Sequence, residues 1–214
     1  LKSRLSRIQM LPGVAVQALE IARDPECSLS EFVAVVERDA KLAADILRLS
    51  NSAMFSSGTS VIATLHQAIV RLGFRQCRNL ILSASMTSLM NSLTLEEEWI
   101  RDLLCRHGFL TSLLAVGVNR ITGLGFQGEE FAAGLIHDFG RTIVATCMPD
   151  QFARIDALDF HESAETLLKE ERELGANHCQ IGAWYAITNR LPPEFVEVAA
   201  YHHDPKLATR HTRL

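Results

Sequence analysis

Apolar positions along this chain recur at helical spacing almost throughout, and strand-like alternation is nearly absent. Leu19, Ile21 and Ala22 continue a stripe begun near Val14 and Val16, just after Pro12. Ser28-Leu29-Ser30-Glu31 reads as a capping box ahead of FVAVVE. Asp39 precedes KLAADILRLSNS, whose Leu42, Ile46, Leu47 and Leu49 keep near-helical period. The small, polar SNSAMFSSGTS predicts a loop or helix junction. Ile62, Leu65, Ala68, Ile69 and Leu72 then share a face, with Gly73 as the expected stop, and Phe74 to Met90 gives another helix.

NSLTLEEE marks a boundary, with Thr94 and Glu97 as a second expected capping box. A long helix is predicted from about Glu96 to Ile121, ended by TGLGFQG. Glu129 to His137 follows, stopped by Gly140. Short helices come next around Arg141–Cys147 and Pro149–Ala157, and then Ala164–Leu174, stopped by Gly175. Asn177 suits the cap of a helix holding His178, Trp184 and Tyr185. Pro192 and Pro193 suit the first turn of a last helix ending in YHHDP, where Pro205 breaks it. The expectation is an all-α fold of two helical lobes, residues 1–93 and 94–214, with no internal repeat.

Composition narrows the class. The 214 residues are 48% hydrophobic and 21% charged, enough for a real core. No apolar run approaches the length of a membrane span, and LKSRLSRIQM lacks the apolar stretch of a signal peptide. It also lacks an initiator Met, which reads as a fragment. The cysteines (27, 77, 105, 147, 179) are odd in number and never in CxxC spacing. Reduced thiols and a cytoplasmic location are therefore expected, without a disulfide framework. The net charge of −4 is uneven: residues 1–93 carry ten Lys/Arg against seven Asp/Glu, and residues 94–214 eleven against eighteen. An acidic second half and no dense basic cluster argue against a DNA partner. Arg71, Arg75 and Arg78 stand at i, i+4 and i+7. The spacing allows a solvated helix face, which is favoured, or an anion or partner site.

The histidines carry the candidate chemistry. His107 falls mid-helix, His137 at a helix end beside Asp138, His178 at a helix start, and His202-His203 at a helix end. Imidazole nitrogen with carboxylate oxygen suits zinc, iron, manganese or nickel, and a metal-bound water is acidic enough to attack a phosphate ester. Ordinary core or surface histidines and a locally hydrogen-bonded Asp138 are the competing reading. Gly123-Leu124-Gly125 is too short to signal a phosphate loop.

LIHDFGR resembles the HD motif of metal-dependent phosphohydrolases, usually HDxGK. The resemblance implies metal ligands at His137 and Asp138, with His107 as the earlier helical histidine. His178, His202 and His203 match further histidines of the two-metal relatives that carry a GYP motif. Arg141 replaces the usual lysine and is the candidate anion contact. PKLATR follows YHHD without a glycine-tyrosine-proline signature. The family's final aspartate is not found before Leu214, so the C-terminal end reads as truncated. The first half, LPGVAVQALEIARDPECSLSEFVAVVERDAKLAADILRLSNSAMF, and then SVIATLHQAIVRLGFRQCRNLILSASM, is similar to the HDOD family, the HD-related output domains. That resemblance implies an all-α domain in bacterial signalling proteins, often beside receiver, GGDEF or EAL modules, and usually regulatory. The favoured expectation is a signalling adaptor with protein partners and a remnant HD pocket. The alternatives are a metal-dependent phosphohydrolase acting on a nucleotide or cyclic dinucleotide, or a nucleotide-sensing module without turnover.

Overall fold

The computed structural model describes residues 11–209, apart from 23, 25, 53–60, 94, 96 and 159–163. Most of SNSAMFSSGTS and the Thr94 cap lie outside the described residues, as does the side chain of Leu49. The described residues are α-helical with no strand. The first half contains α1 (Gly13–Ile21), α2 (Leu29–Val36), α3 (Ala40–Ser50), α4 (Leu65–Leu72) and α5 (Phe74–Ser92). The second half contains α6 (Glu98–Thr122), α7 (Glu129–Ile136), α8 (Phe139–Cys147), α9 (Pro149–Ile155), α10 (Ala164–Leu174), α11 (His178–Thr188) and α12 (Pro193–Tyr201). None is long and apolar enough to cross a membrane.

Local chemistry sets the helix starts. Ser28 Oγ accepts from Glu31 N at 3.2 Å while Ser28 N donates to Glu31 Oε2 at 2.9 Å, closing the capping box of α2. Asp39 Oδ1 accepts from the amides of Lys41 and Leu42 at the start of α3. The long helix α6 starts after Glu97, whose side chain makes no cap bond, and ends at Gly123 in the left-handed region with φ 64°.

Two sequence expectations need correction. Gly140 does not stop a helix: it is the second residue of α8, and an added Cβ there would lie 1.9 Å from His178 O. Glycine is needed for close contact between α8 and α11, not for a turn. The three arginines are not one solvated face. Gly73, at φ 80°, separates α4 from α5, so Arg71 lies on a different helix from Arg75 and Arg78. Arg71 Nη1 donates to Ser50 O at 3.3 Å. Arg75 pairs with Glu129, and Arg78 Nη2 lies 3.0 Å from Glu194 Oε1. The basic first half thus meets the acidic second half through Arg75 and Arg78.

Among the described residues, a buried hydrophobic cluster continues across that seam, from Leu11 and Phe32 through Ile81 and Phe139 to Tyr185 and Phe195. Each such side chain contributes about 1.5–3 kcal/mol on full burial, and the cluster holds dozens of them against a few ion pairs at the seam. Apolar packing therefore joins the halves, and the charges set how they register.

Candidate functional site

Helix ends bring the predicted histidines together. His107 projects from α6, His137 follows the last turn of α7, His178 opens α11, and His202 and His203 follow α12. Glycine contacts fix the spacing. Beside His137, a Cβ on Gly134 would meet the Ser112 backbone of α6 at 2.6 Å. Gly140 does the same for α8 against His178. Ordinary side chains would push these helices apart and disperse the cluster.

The ligating atoms form two groups. His107, His137 and Asp138 make one, and His178, Cys179, His202 and His203 make the other. Within each, the candidate atoms lie within 4.8 Å of one another. His107 Nε2 and His137 Nε2 are 3.1 Å apart. His178 Nε2 lies 3.4 Å from His202 Nε2, 3.1 Å from His203 Nε2 and 3.5 Å from Cys179 Sγ. Asp138 joins the groups. Its Oδ2 is 3.6 Å from His107 Nε2, and its Oδ1 is 3.4 Å from His178 Nε2 and 3.7 Å from His202 Nε2.

The outer nitrogens explain why the inner ones converge. His137 Nδ1 lies 2.8 Å from Gly134 O. His178 Nδ1 lies 2.8 Å from Glu170 Oε2. His202 Nδ1 lies 3.2 Å from both Val198 O and Ala199 O. These partners only accept, so each Nδ1 carries a proton and each Nε2 is aimed inward. Lone pairs at 3.1–3.4 Å repel unless a proton or a cation lies among them. Zinc–nitrogen bonds of about 2.0–2.1 Å give a tetrahedral edge of about 3.3 Å, close to those spacings. The buried Asp138 Oδ1 has no hydrogen-bond partner, although His178 Nε2 lies 3.4 Å and His202 Nε2 3.7 Å from it. The donor set therefore fits a divalent transition metal, and the Cys179 sulfur shifts the preference towards zinc or iron over manganese.

Burial pushes the Asp138 carboxyl up, but its electrostatic interactions with His137, Arg141, His178 and His202 hold it below its ordinary value. Burial, and then the His137 charge, pushes His202 down to about 3. Arg141 takes a different role from the one expected of it. It is 2% exposed, its Nη1 donates to Asp138 Oδ2 at 3.1 Å, and its Nη2 donates to Asp156 Oδ1 at 2.6 Å. The guanidinium faces two internal carboxylates and holds Asp138 in place, so it is not a contact for an outside anion.

Sequence reasoning missed Glu170, Cys179 and Asp156. Glu170 sits in the charged run KEEREL, where nothing distinguishes it from its solvated neighbours, yet it is 5% exposed. Cys179 adjoins His178, which was a usable signal. A cavity of about 450 Å³ opens over the cluster, lined by Thr111, Glu130 and Val198 as well as His107, His137, His202 and His203. That volume suits a small organic ligand.

The profile of the HDOD domain family matches residues 8–205. An uncharacterized protein of Treponema pallidum (strain Nichols) is 25% identical over 202 residues, which cover 92% of this chain and 38% of that protein. An HDOD domain protein of unknown function from Geobacter sulfurreducens superposes with a TM-score of 0.71 at 22% identity, covering 97% of this chain and 72% of that one. A candidate phosphohydrolase from Shewanella amazonensis SB2B gives 0.73 at 22% identity, covering 99% and 74%. A candidate signal transduction protein from Marinobacter aquaeolei VT8 gives 0.67 at 20% identity, covering 98% and 50%. At these identities the structures share the fold.

Proposed function

The chain belongs to the HDOD domain family, and from that premise we propose that it is a regulatory domain of bacterial signal transduction whose His–Asp pocket holds a transition metal and senses a phosphorylated ligand. The observation that carries this is Asp138, buried between two histidine groups with one oxygen lacking a hydrogen-bond partner. His107, His137 and Asp138 would hold one ion, and His178, Cys179, His202 and His203 a second. When bound, such an ion supplies a Lewis-acidic anchor for phosphoryl oxygens.

The protein's own residues do the rest. Glu170 and Arg141 orient His178 and Asp138. The cavity gives a nucleotide or cyclic dinucleotide access to the cluster. Among the described residues lining that cavity there is no Lys or Arg to stabilise a leaving group, which favours sensing over turnover. Protein partners in a signalling assembly and a cytoplasmic location belong to the same proposal.

Hydrolysis of a phosphate ester is the second reading, favoured by the intact His137–Asp138 pair. Metal analysis and ligand titration of the purified chain test both. About one to two zinc or iron ions per chain, lost in Asp138→Ala, together with nucleotide binding and no product, support the sensor. Metal-dependent turnover that vanishes in His137→Ala and Asp138→Ala establishes the hydrolase instead. A chain with no affinity for either metal removes both readings.

A further inference from the structure

Helix α6 has 25 residues and presents an apolar stripe to solvent. Leu110 is 58% exposed, Leu114 70% and Ile121 86%, and Trp99 and Leu113 are about half exposed. At about 100° per residue these side chains fall within about 60° of one line down the helix, opposite the buried Leu104, Gly108 and Ser112. Together with their flanking Val118 and Phe109 they expose on the order of 100 Å² each, a patch comparable to the roughly 800 Å² that one partner buries in a stable interface.

We propose that this stripe is a homodimer interface in which α6 packs antiparallel on α6 of a second copy. The charges beside the stripe select that occupant. Asp102 and Arg120 are both exposed and stand eighteen positions apart, which is five turns of about 3.6 residues. They therefore lie on the same flank. A two-fold axis at the midpoint, Thr111, places Asp102 of each copy beside Arg120 of the other, twice per dimer. Arg106 is the exposed charge within the stripe, and the same axis puts it against the turn of Gly117, where no atom would lie within 4 Å of an added Cβ. A long side chain thus meets a turn where the partner carries no side chain of its own at Gly117. The surface is self-complementary in its apolar stripe and its flanking charges, as a closed two-fold contact requires.

Sedimentation velocity across a concentration series tests this with the whole chain. The wild type is expected to be dimeric at about 100 μM, and Leu110→Glu with Leu114→Glu monomeric with an unchanged helical circular dichroism spectrum. Asp102→Arg alone and Arg120→Asp alone should each weaken the dimer roughly tenfold, because two attractive pairs become two repulsive ones. The two reversals combined should restore it to within about threefold of wild type. These exposed charge variants keep the test decisive even if the leucine variant misfolds. A monomeric wild type at that concentration, or a combined variant no better than the single ones, overturns the proposal and assigns the stripe to another protein or to a further segment of a longer chain.

Discussion

His178 Nδ1 donates to Glu170 Oε2 at 2.8 Å, and both side chains are buried. The carboxylate fixes which imidazole nitrogen carries the proton and so aims Nε2 at the cluster. Glu170→Ala should weaken zinc binding about 10–100-fold in a chelator competition titration. Glu170→Gln should lose less, since its amide oxygen still accepts from Nδ1. Equal affinity in Glu170→Ala and wild type would remove Glu170 from the site.

Metal binding should depend on pH in a definite direction. Burial alone would lower His178, but the Cys179 and Glu170 hydrogen bonds and the nearby charge of Asp138 outweigh it and raise it to about 11. The metal-free chain therefore holds a proton at His178 that a metal must displace. Apparent affinity should rise about tenfold per pH unit between about pH 6 and 9, with about one proton released per ion. Calorimetry in buffers of different ionisation enthalpy reads that proton directly. In the metal-free chain, the same shift stabilises the fold fully below the ordinary value of 6.5, and that contribution is lost as pH rises towards about 11.

Gly140→Ala should be among the most damaging single-methyl changes. Its Cβ would sit 1.9 Å from His178 O, a backbone atom that cannot swing aside. A loss of about 3 kcal/mol or more in urea unfolding is expected, with metal affinity falling in parallel. Gly175→Ala is the control. It meets open space at φ 82°, so it should cost only about 1 kcal/mol and leave metal binding intact.

The seam between the halves should loosen in acid. Burial pushes Glu129 up, but hydrogen bonds from Arg75 and from backbone amides hold it below its ordinary 4.5. Its contribution is present above pH 4.5 and is lost as pH falls through the depressed value. Glu129→Gln should destabilise the chain by about 1–3 kcal/mol at neutral pH and flatten that acid dependence. A variant with the wild-type acid profile would show that Glu129 does not set it.

Much of this fold was legible because its signals are local. The Ser28 and Asn177 caps each act within three residues, and both form as capping boxes. The histidines could be grouped because helix ends, where five of the six candidate ligands lie, tend to converge on cavities. Long-range contacts were invisible. Gly140 looks like a helix stop until α11 is placed against it. Arg141 looks available to an anion until Asp156 is found 2.6 Å from its guanidinium. Arg75 and Arg78 read as solvated because their acidic partners come 54 and 116 positions later.

Helix α6 also has a mechanical consequence. It bears His107 part-way along its length, at the edge of the apolar stripe, so a body gripping the stripe holds a rod that carries a candidate metal ligand. An imidazole nitrogen stands about 6 Å from its helix axis, and coordination bonds tolerate displacements of about 0.2 Å. A roll of α6 by about 2° therefore uses up the whole tolerance at His107, with no bending, hinge or unfolding anywhere in the chain.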